Sequence, residues 1–238
     1  MPKRKHLWFG VLVLAFACGQ AKDTAGPDIA IEESRITTPA GTEHVQVFVP
    51  AGKFTMGTSD GPDNERPLHE VELDAFYIDK YEVTNTQYLA FSEATGAERP
   101  QFIREDAFNQ PNQPVVGTLW NFARDYCHWA GLQLPSEAQW EKAARGYDER
   151  IYPWGNIFPD NNLANFGSNL GDTNKTGMYL DGASAFLVLD MAGNVSEWVN
   201  SYYQIYPGGE PGGQNLFYQS DIGVRGGGWY NPGINMRS

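Results

Sequence analysis

Nine residues, Asp190 to Trp198 (DMAGNVSEW), constrain this chain more than any other stretch. They set two carboxylates, Asp190 and Glu197, and the amide of Asn194 around a small-residue bend at Ala192 and Gly193. Such a bend frees main-chain carbonyls to converge on one locus, and calcium is held in this way, by about six to eight oxygens from carboxylates, amides and carbonyls. A glycine turn with a solvated acidic rim would use the same residues, and spacing alone does not separate the two. A second cluster of similar chemistry precedes it at Ala164 to Thr173 (ANFGSNLGDT). The aromatic exit, Trp198 followed by Tyr202 and Tyr203, leads from the bend toward buried structure.

Charge and the N-terminus narrow the partners. The formal net charge is −12, and beyond the first 18 residues 14 basic residues stand against 29 acidic ones, or −15. Nucleic acid is thereby disfavoured, because phosphate binding needs a basic face; cations, basic partners or simple solubility are favoured. Residues 1–18 (MPKRKHLWFGVLVLAFAC) read as an export signal, with Lys3, Arg4 and Lys5 ahead of an apolar run from Leu7 to Ala17 that is too short to span a bilayer. Ala15-Phe16-Ala17-Cys18 resembles a bacterial lipobox, which makes Cys18 a lipidated first residue; a cysteine beside an ordinary cleavage site is the alternative. Gly19, in place of Asp, points to the outer membrane or cell surface, with the periplasm as the other exported destination. Residues 19–44 are small and polar without apolar periodicity and read as a tether. The remainder, 45–238, is one domain of roughly 190 residues, enough to bury a full core.

Within that domain Val45, Val47 and Val49 alternate with polar neighbours, Pro50-Ala51-Gly52 turns, and Phe54 and Met56 resume the alternation, which predicts a hairpin. Leu68 to Ile78 predicts a further strand. Thr84 to Ala94 predicts a helix with Thr84 and Gln87 in capping-box spacing and Gly96 as its stop. Thr118 to Ala130 predicts a second, burying Leu119, Phe122, Ala123, Tyr126 and Ala130. A third opens on the Ser136 and Gln139 capping box, carries a Trp140, Ala143, Ala144 stripe and ends at Gly146. Cys127 beside His128 invites a nucleophile reading, but neighbours on a helix diverge, and core packing is the default for a free thiol. His69 reads as a turn or surface histidine, with no second ligand at metal spacing.

Six segments in order carry a family resemblance: FVPAGKFTMGT (48–58), ERPLHEVELDAFYIDKYEVTNTQYLAF (65–91), LPSEAQWEKAARG (134–146), YPWGN (152–156), LDMAGNVSEW (189–198) and VRGGGW (224–229). On these the chain resembles the formylglycine-generating enzyme, or sulfatase-modifying-factor, family. The resemblance implies an α+β fold of C-type-lectin-like kind, low in regular secondary structure, with small antiparallel sheets and a few helices. It implies one calcium on the Asp190 side chain, the Gly193 and Val195 carbonyls and the Glu197 carboxylate. It implies a second, weaker one on Asn165, the Phe166 carbonyl and Asp172, where Asp172 as a plain turn residue stays open. The family also continues past the position of Ser238 through an Arg-rich strand to a terminal GFR, so the resemblance implies an incomplete C-terminal site region.

The oxidases of that family hold copper on two cysteines just after the glycine pair, and copper(I) suits soft thiolates. Here the positions fall at Asn231 and near Met236, and Gly228 stands where a serine would. Copper is not expected, and no catalytic residue is assigned. The three-histidine iron site of the ergothioneine-type branch does not fit four scattered histidines. The expectation is an exported, lipid-anchored, catalytically silent binding or scaffold module, stabilised by calcium, meeting a protein or peptide on a groove of Arg225, Gly228, Trp229, Tyr230 and Asn231. The alternatives are an enzyme of the same family with a non-thiol or C-terminally completed site, and a lectin-like glycan binder. Membrane contact is expected through the lipid alone.

Overall fold

A computed structural model describes residues 31–209 and 221–238. Its framework is a long antiparallel ribbon that bends once. Strands β1 (Glu33–Thr37), β2 (Glu43–Val49), β3 (Gly52–Met56), β4 (His69–Leu73) and β5 (Phe76–Asp79) make two sheets, β1-β2-β5 and β3-β4. The expected hairpin of β2 with β3 is therefore wrong, since the two lie end to end in different sheets. The expected strand at 68–78 is likewise two strands, β4 and β5. Register explains both corrections: Val49 faces Phe76 and Gly52 faces Leu73, so the pairing continues without slippage across a gap at Pro50-Ala51 and Asp74-Ala75. Proline has no N–H for the ladder, so the ribbon breaks and turns there. The carbonyls freed at the bend are not left bare: Lys142 Nζ donates to Pro50 O at 2.7 Å and to Gly52 O at 2.9 Å.

β1 lies inside the stretch read as a tether. It pairs with β2 from Glu33 opposite Val47 to Thr37 opposite Glu43, so the ordered sheet begins before residue 45. The expected leader with Cys18, and residues 19–30 of the tether, fall outside the described residues. No helix among the described residues is long and apolar enough to cross a membrane.

Local capping rules hold well. α1 (Asn85–Thr95) starts at Thr84, whose side chain accepts from Gln87 N while Gln87 returns the bond, and stops at Gly96 with φ 74°. α3 (Glu137–Arg145) has the same box from Ser136 and Gln139 and stops at Gly146. α2 (Trp120–Trp129) differs from expectation, because Leu119 is its uncapped N-terminal residue and is 61 % exposed rather than buried. Trp140, Ala143 and Ala144 of α3 pack with Val47, Val49, Phe186, Val188, Met191 and Val199 in the main core. Tyr88, Phe91, Tyr126, Cys127 and Ala130 close a second core between α1 and α2.

A third sheet, β6 (Glu197–Tyr202) with β7 (Ile222–Arg225), packs on α3. Between α3 and β6 the described chain is turns and loops apart from one short 3-10 turn at Leu180–Gly182. The YPWGN segment closes on a Tyr152 to Gly155 bridge, with the Tyr152 and Trp154 rings stacked 5.4 Å apart.

Candidate functional site

The two oxygen-rich segments meet. Asn194 N donates to Asn165 O at 2.8 Å, and Asn165 Nδ2 donates to Asn194 Oδ1 at 3.3 Å and to Asp172 O at 2.9 Å. Gly193 makes the approach possible: its φ is +85°, and a Cβ there would lie 2.4 Å from Asn165 O. A side chain would meet both backbone strain and a main-chain clash. The glycine loop after β7 completes the knot, with Gly193 N donating to Gly226 O at 3.0 Å and Trp229 N to Asn194 O at 2.9 Å. From the other side, Ser168 N donates to Trp229 O and Gly167 N to Asn231 O.

Asp190 and Glu197 both sit at this knot. Asp190 is 5 % exposed, with Oδ2 accepting from Gly177 N at 2.5 Å, and Glu197 Oε2 accepts the Trp140 indole N–H at 2.7 Å. Sequence reasoning missed a third acid, Glu82, between β5 and α1. Its Oε2 accepts from Asn194 Nδ2 at 2.6 Å and its Oε1 from Val195 N at 3.1 Å. Burial raises the Glu82 carboxyl well above its ordinary range, with the charges of Asp190 and Glu197 adding to it. Burial also pushes Asp190 up to about 6 and Glu197 up to about 7. The signal for Glu82 was an acid at the junction of an apolar strand and a capped helix, but nothing local ties it to residue 194.

The chemistry of this donor set fits a hard cation. Buried carboxylates without a basic partner are costly unless a cation joins them. Asn165 Oδ1 is buried with no hydrogen-bond partner among the described residues. No group of three His, Cys, Asp or Glu side chains among the described residues could hold a metal by itself, so any cation here would need main-chain carbonyls such as those of Gly193 and Val195. The weaker set is looser: Phe166 O already accepts from Asn169 N, and Asp172 meets Asn165 through its carbonyl rather than its carboxylate.

The expected groove divides. Gly228, Trp229, Tyr230 and Asn231 stay together: Gly228 N donates to Asn231 Oδ1 at 2.8 Å, the Trp229 and Tyr230 rings meet edge to face at 5.7 Å, and Tyr230 is 61 % exposed. Arg225 does not line that surface. Its guanidinium turns inward, over the Trp140 ring, and donates to Glu141 at 2.7 Å and Glu137 at 3.4 Å. At the other position of interest, Met236 is fully buried, its Cε lying where a Cβ on Gly227 would come.

His44, His69 and the described thiol are built into the framework. His44 links Asp79 at 2.5 Å to the Tyr126 hydroxyl at 2.7 Å. His69, expected at a turn or on the surface, is instead the half-buried first residue of β4; its Nδ1 bonds Pro67 O and its ring packs on Tyr206. Cys127 is buried in α2, and burial pushes its thiol up to about 12.

Comparison with known proteins bears on this arrangement. The family described as sulfatase-modifying factor enzyme 1-like domain matches residues 33–238. A protein of Chlamydia caviae named serine/threonine-protein kinase pkn1 is 34 % identical over 190 residues, covering 72 % of this chain and 30 % of the relative. The hercynine oxygenase of Mycolicibacterium smegmatis is 31 % identical over 220 residues, covering 75 % of this chain and 51 % of the relative. The formylglycine-generating enzyme of Streptomyces coelicolor is 35 % identical over 176 residues, covering 54 % and 56 %. The chain thus spans under a third of the kinase-named relative and about half of the two others. Among solved structures, PvdO from Pseudomonas aeruginosa superposes with a TM-score of 0.66 at 28 % identity, covering 86 % of this chain and 91 % of its own. Treponema denticola variable protein 1 shares the fold, with a TM-score of 0.67 at 20 % identity over 86 % of this chain and 90 % of its own.

Proposed function

The chain belongs to the sulfatase-modifying factor enzyme 1-like domain family, and on that premise we propose that it is an exported, lipid-anchored binding or scaffold module, stabilised by calcium and without copper-dependent thiol oxidation. One observation carries the reading: Asn231, where the resemblance implies a thiolate, spends its side-chain oxygen on the Gly228 amide and so closes the glycine loop. The second position falls near Met236, which is packed in the core. Copper(I) favours sulfur ligands, and the described thiol, Cys127, is buried in α2.

Calcium is the cofactor of this reading, held by Asp190, Gly193 O, Val195 O and Glu197, with Asn165, Phe166 O and Asp172 as the weaker set. The uncompensated burial of Asp190 and Glu197 supports the first, and the partnerless Asn165 oxygen supports the second. In this role the ion would fix the loop knot that carries Trp229 and Tyr230, the surface offered to a protein or peptide. Anchoring through Cys18 rests on the leader alone.

The test is direct. The purified chain, given copper, oxygen and a sulfatase-type thiol peptide, is expected to yield no aldehyde by mass spectrometry; turnover would end the reading. Turnover in the same assay by a chain extended beyond Ser238 would favour the enzyme alternative with a C-terminally completed site, to which the names of the hercynine oxygenase and formylglycine-generating relatives point.

A further inference from the structure

β5 is an edge strand. β2 covers one side of it, and the register sets the main-chain groups of Phe76 and Ile78 toward β2, as it does the N–H of Lys80, which donates to Val45 O, while Lys80 O accepts from Leu189 N at the end of the strand. Tyr77 and Asp79 consequently turn theirs to the open side, where no strand among the described residues pairs with them. An open edge is normally guarded by a lysine, a proline or a covering element. The four residues here are Phe-Tyr-Ile-Asp.

Beside that edge lies a cavity of about 530 Å³, within the range of ligand pockets. Phe76, Ile78, Val188, Met191 and Trp198 supply apolar walls. Its acids are Asp79, Glu82 and Glu197, and no Lys, Arg or His lines it. Glu82, and Asp79 with its bonds to His44 and Gln46, stand outside the oxygen set assigned to calcium above, so carboxyl oxygens line the cavity whether or not that ion is bound.

We propose that this slot receives one extended strand of a partner protein, which pairs with the outer edge of β5 and alternates apolar side chains with a basic one. Backbone pairing would satisfy Tyr77 and Asp79, while the period of two sends every second side chain into the cavity. Charge complementarity selects the basic residue: Glu82 and Glu197 accept only from Asn194, Val195 and Trp140 among the described residues. The site is separate from the Trp229 and Tyr230 surface and does not depend on it.

A fluorescent peptide, Ser-Val-Arg-Val-Phe-Val-Ser, titrated with the whole chain in calcium buffer and followed by anisotropy, tests this. Saturable binding is expected, weakened about tenfold when the peptide arginine becomes norleucine. Tyr77→Pro removes one outward N–H at a position where an edge strand tolerates proline, and should weaken binding about tenfold or more. Ala123→Phe, which fills the cavity from α2, should do the same without touching β5, and it decides the matter if the proline variant does not fold. Unchanged affinity in either folded variant, equal binding of the norleucine peptide, or no binding at all would overturn the proposal. A concentration-dependent dimer that excludes the peptide would give the slot to a second copy. Loss of binding in a chain extended beyond Ser238 would show it filled from within. Each of those outcomes also overturns the partner assignment.

Discussion

Two parts of this molecule bury carboxylates, and they solve the problem in opposite ways. Around α3, Glu141 is 1 % exposed but accepts from Gly57 N at 2.7 Å, Arg145 at 2.9 Å and Arg225 at 2.7 Å. Arg145 further donates to Gly57 O, and Lys142 holds the ribbon bend one residue away. Around the 190–198 loop, Glu82, Asp190 and Glu197 meet amides, an indole and main-chain N–H groups, but no Arg or Lys among the described residues. The first cluster is neutralised for charge, with Arg145 Nε its one buried donor that has no partner among the described residues. The second is unbalanced for charge and leaves Asn165 Oδ1 without a hydrogen-bond partner among the described residues, a state that a bound cation would correct.

The sharpest way to break this comparison is to uncompensate the first cluster. Glu141→Ala leaves Arg145 buried without an acid and Arg225 with Glu137 alone, at 3.4 Å, and should lower stability by about 3–5 kcal/mol in urea denaturation. A change under about 1 kcal/mol would mean that the α3 cluster is not held by charge.

Calcium should come next in size. At a free concentration of about 100 times Kd it adds about 2.7 kcal/mol to the folded state, read as a higher melting temperature than in chelator. The sign depends on pH. With no cation, Asp190 near 6 and Glu197 near 7 hold protons more tightly when folded than the ordinary carboxylate values of about 4 allow. Stability of the chelated protein should therefore be highest below about pH 4 to 5, as far as these two groups decide it, and fall as pH rises through 6 and 7. The calcium increment should grow over the same interval, because the ion needs the deprotonated ligands. Identical melting curves with and without chelator at pH 8 would remove the contrast between the clusters.

Glu197→Gln sharpens it further, since it should lower stability in calcium yet leave it unchanged or raised in chelator, where the lost charge had no partner. The same loss in both buffers would point to packing alone. Gly193→Ala should cost about 2 kcal/mol, because it adds both a positive-φ residue and a clash with Asn165 O. Smallest is Ser136→Ala, expected to cost about 1 kcal/mol by removing the cap of α3, with no dependence on calcium.

Legibility followed the range of the forces. The boxes at Thr84 and Ser136 and the stops at Gly96 and Gly146 were readable because cap and partner lie within one turn. The hairpin at Pro50 was misread because a turn signal says that the chain bends, not which strand it meets; β3 found β4 rather than β2. β1 was missed because Glu33 to Thr37 carry no apolar alternation of their own and are placed by β2. Leu119 reads as buried by helical period but sits at the open mouth of α2. At the candidate site, Asp190, Asn194 and Glu197 were visible as a cluster, and Asn165 as its companion. Arg225 was placed in the groove by its neighbours in sequence, whereas the pleat of β7 aims it at α3.

By itself the sequence determined the family motifs and their order, the helix ends and the oxygen-rich bend. Only the tertiary structure decided which buried acids are neutralised. Glu82 and Asn194 are 112 positions apart, and Glu141 and Arg225 are 84 apart. Burial and the partner of a charge are properties of space, set by how distant segments pack, and no local pattern carries them.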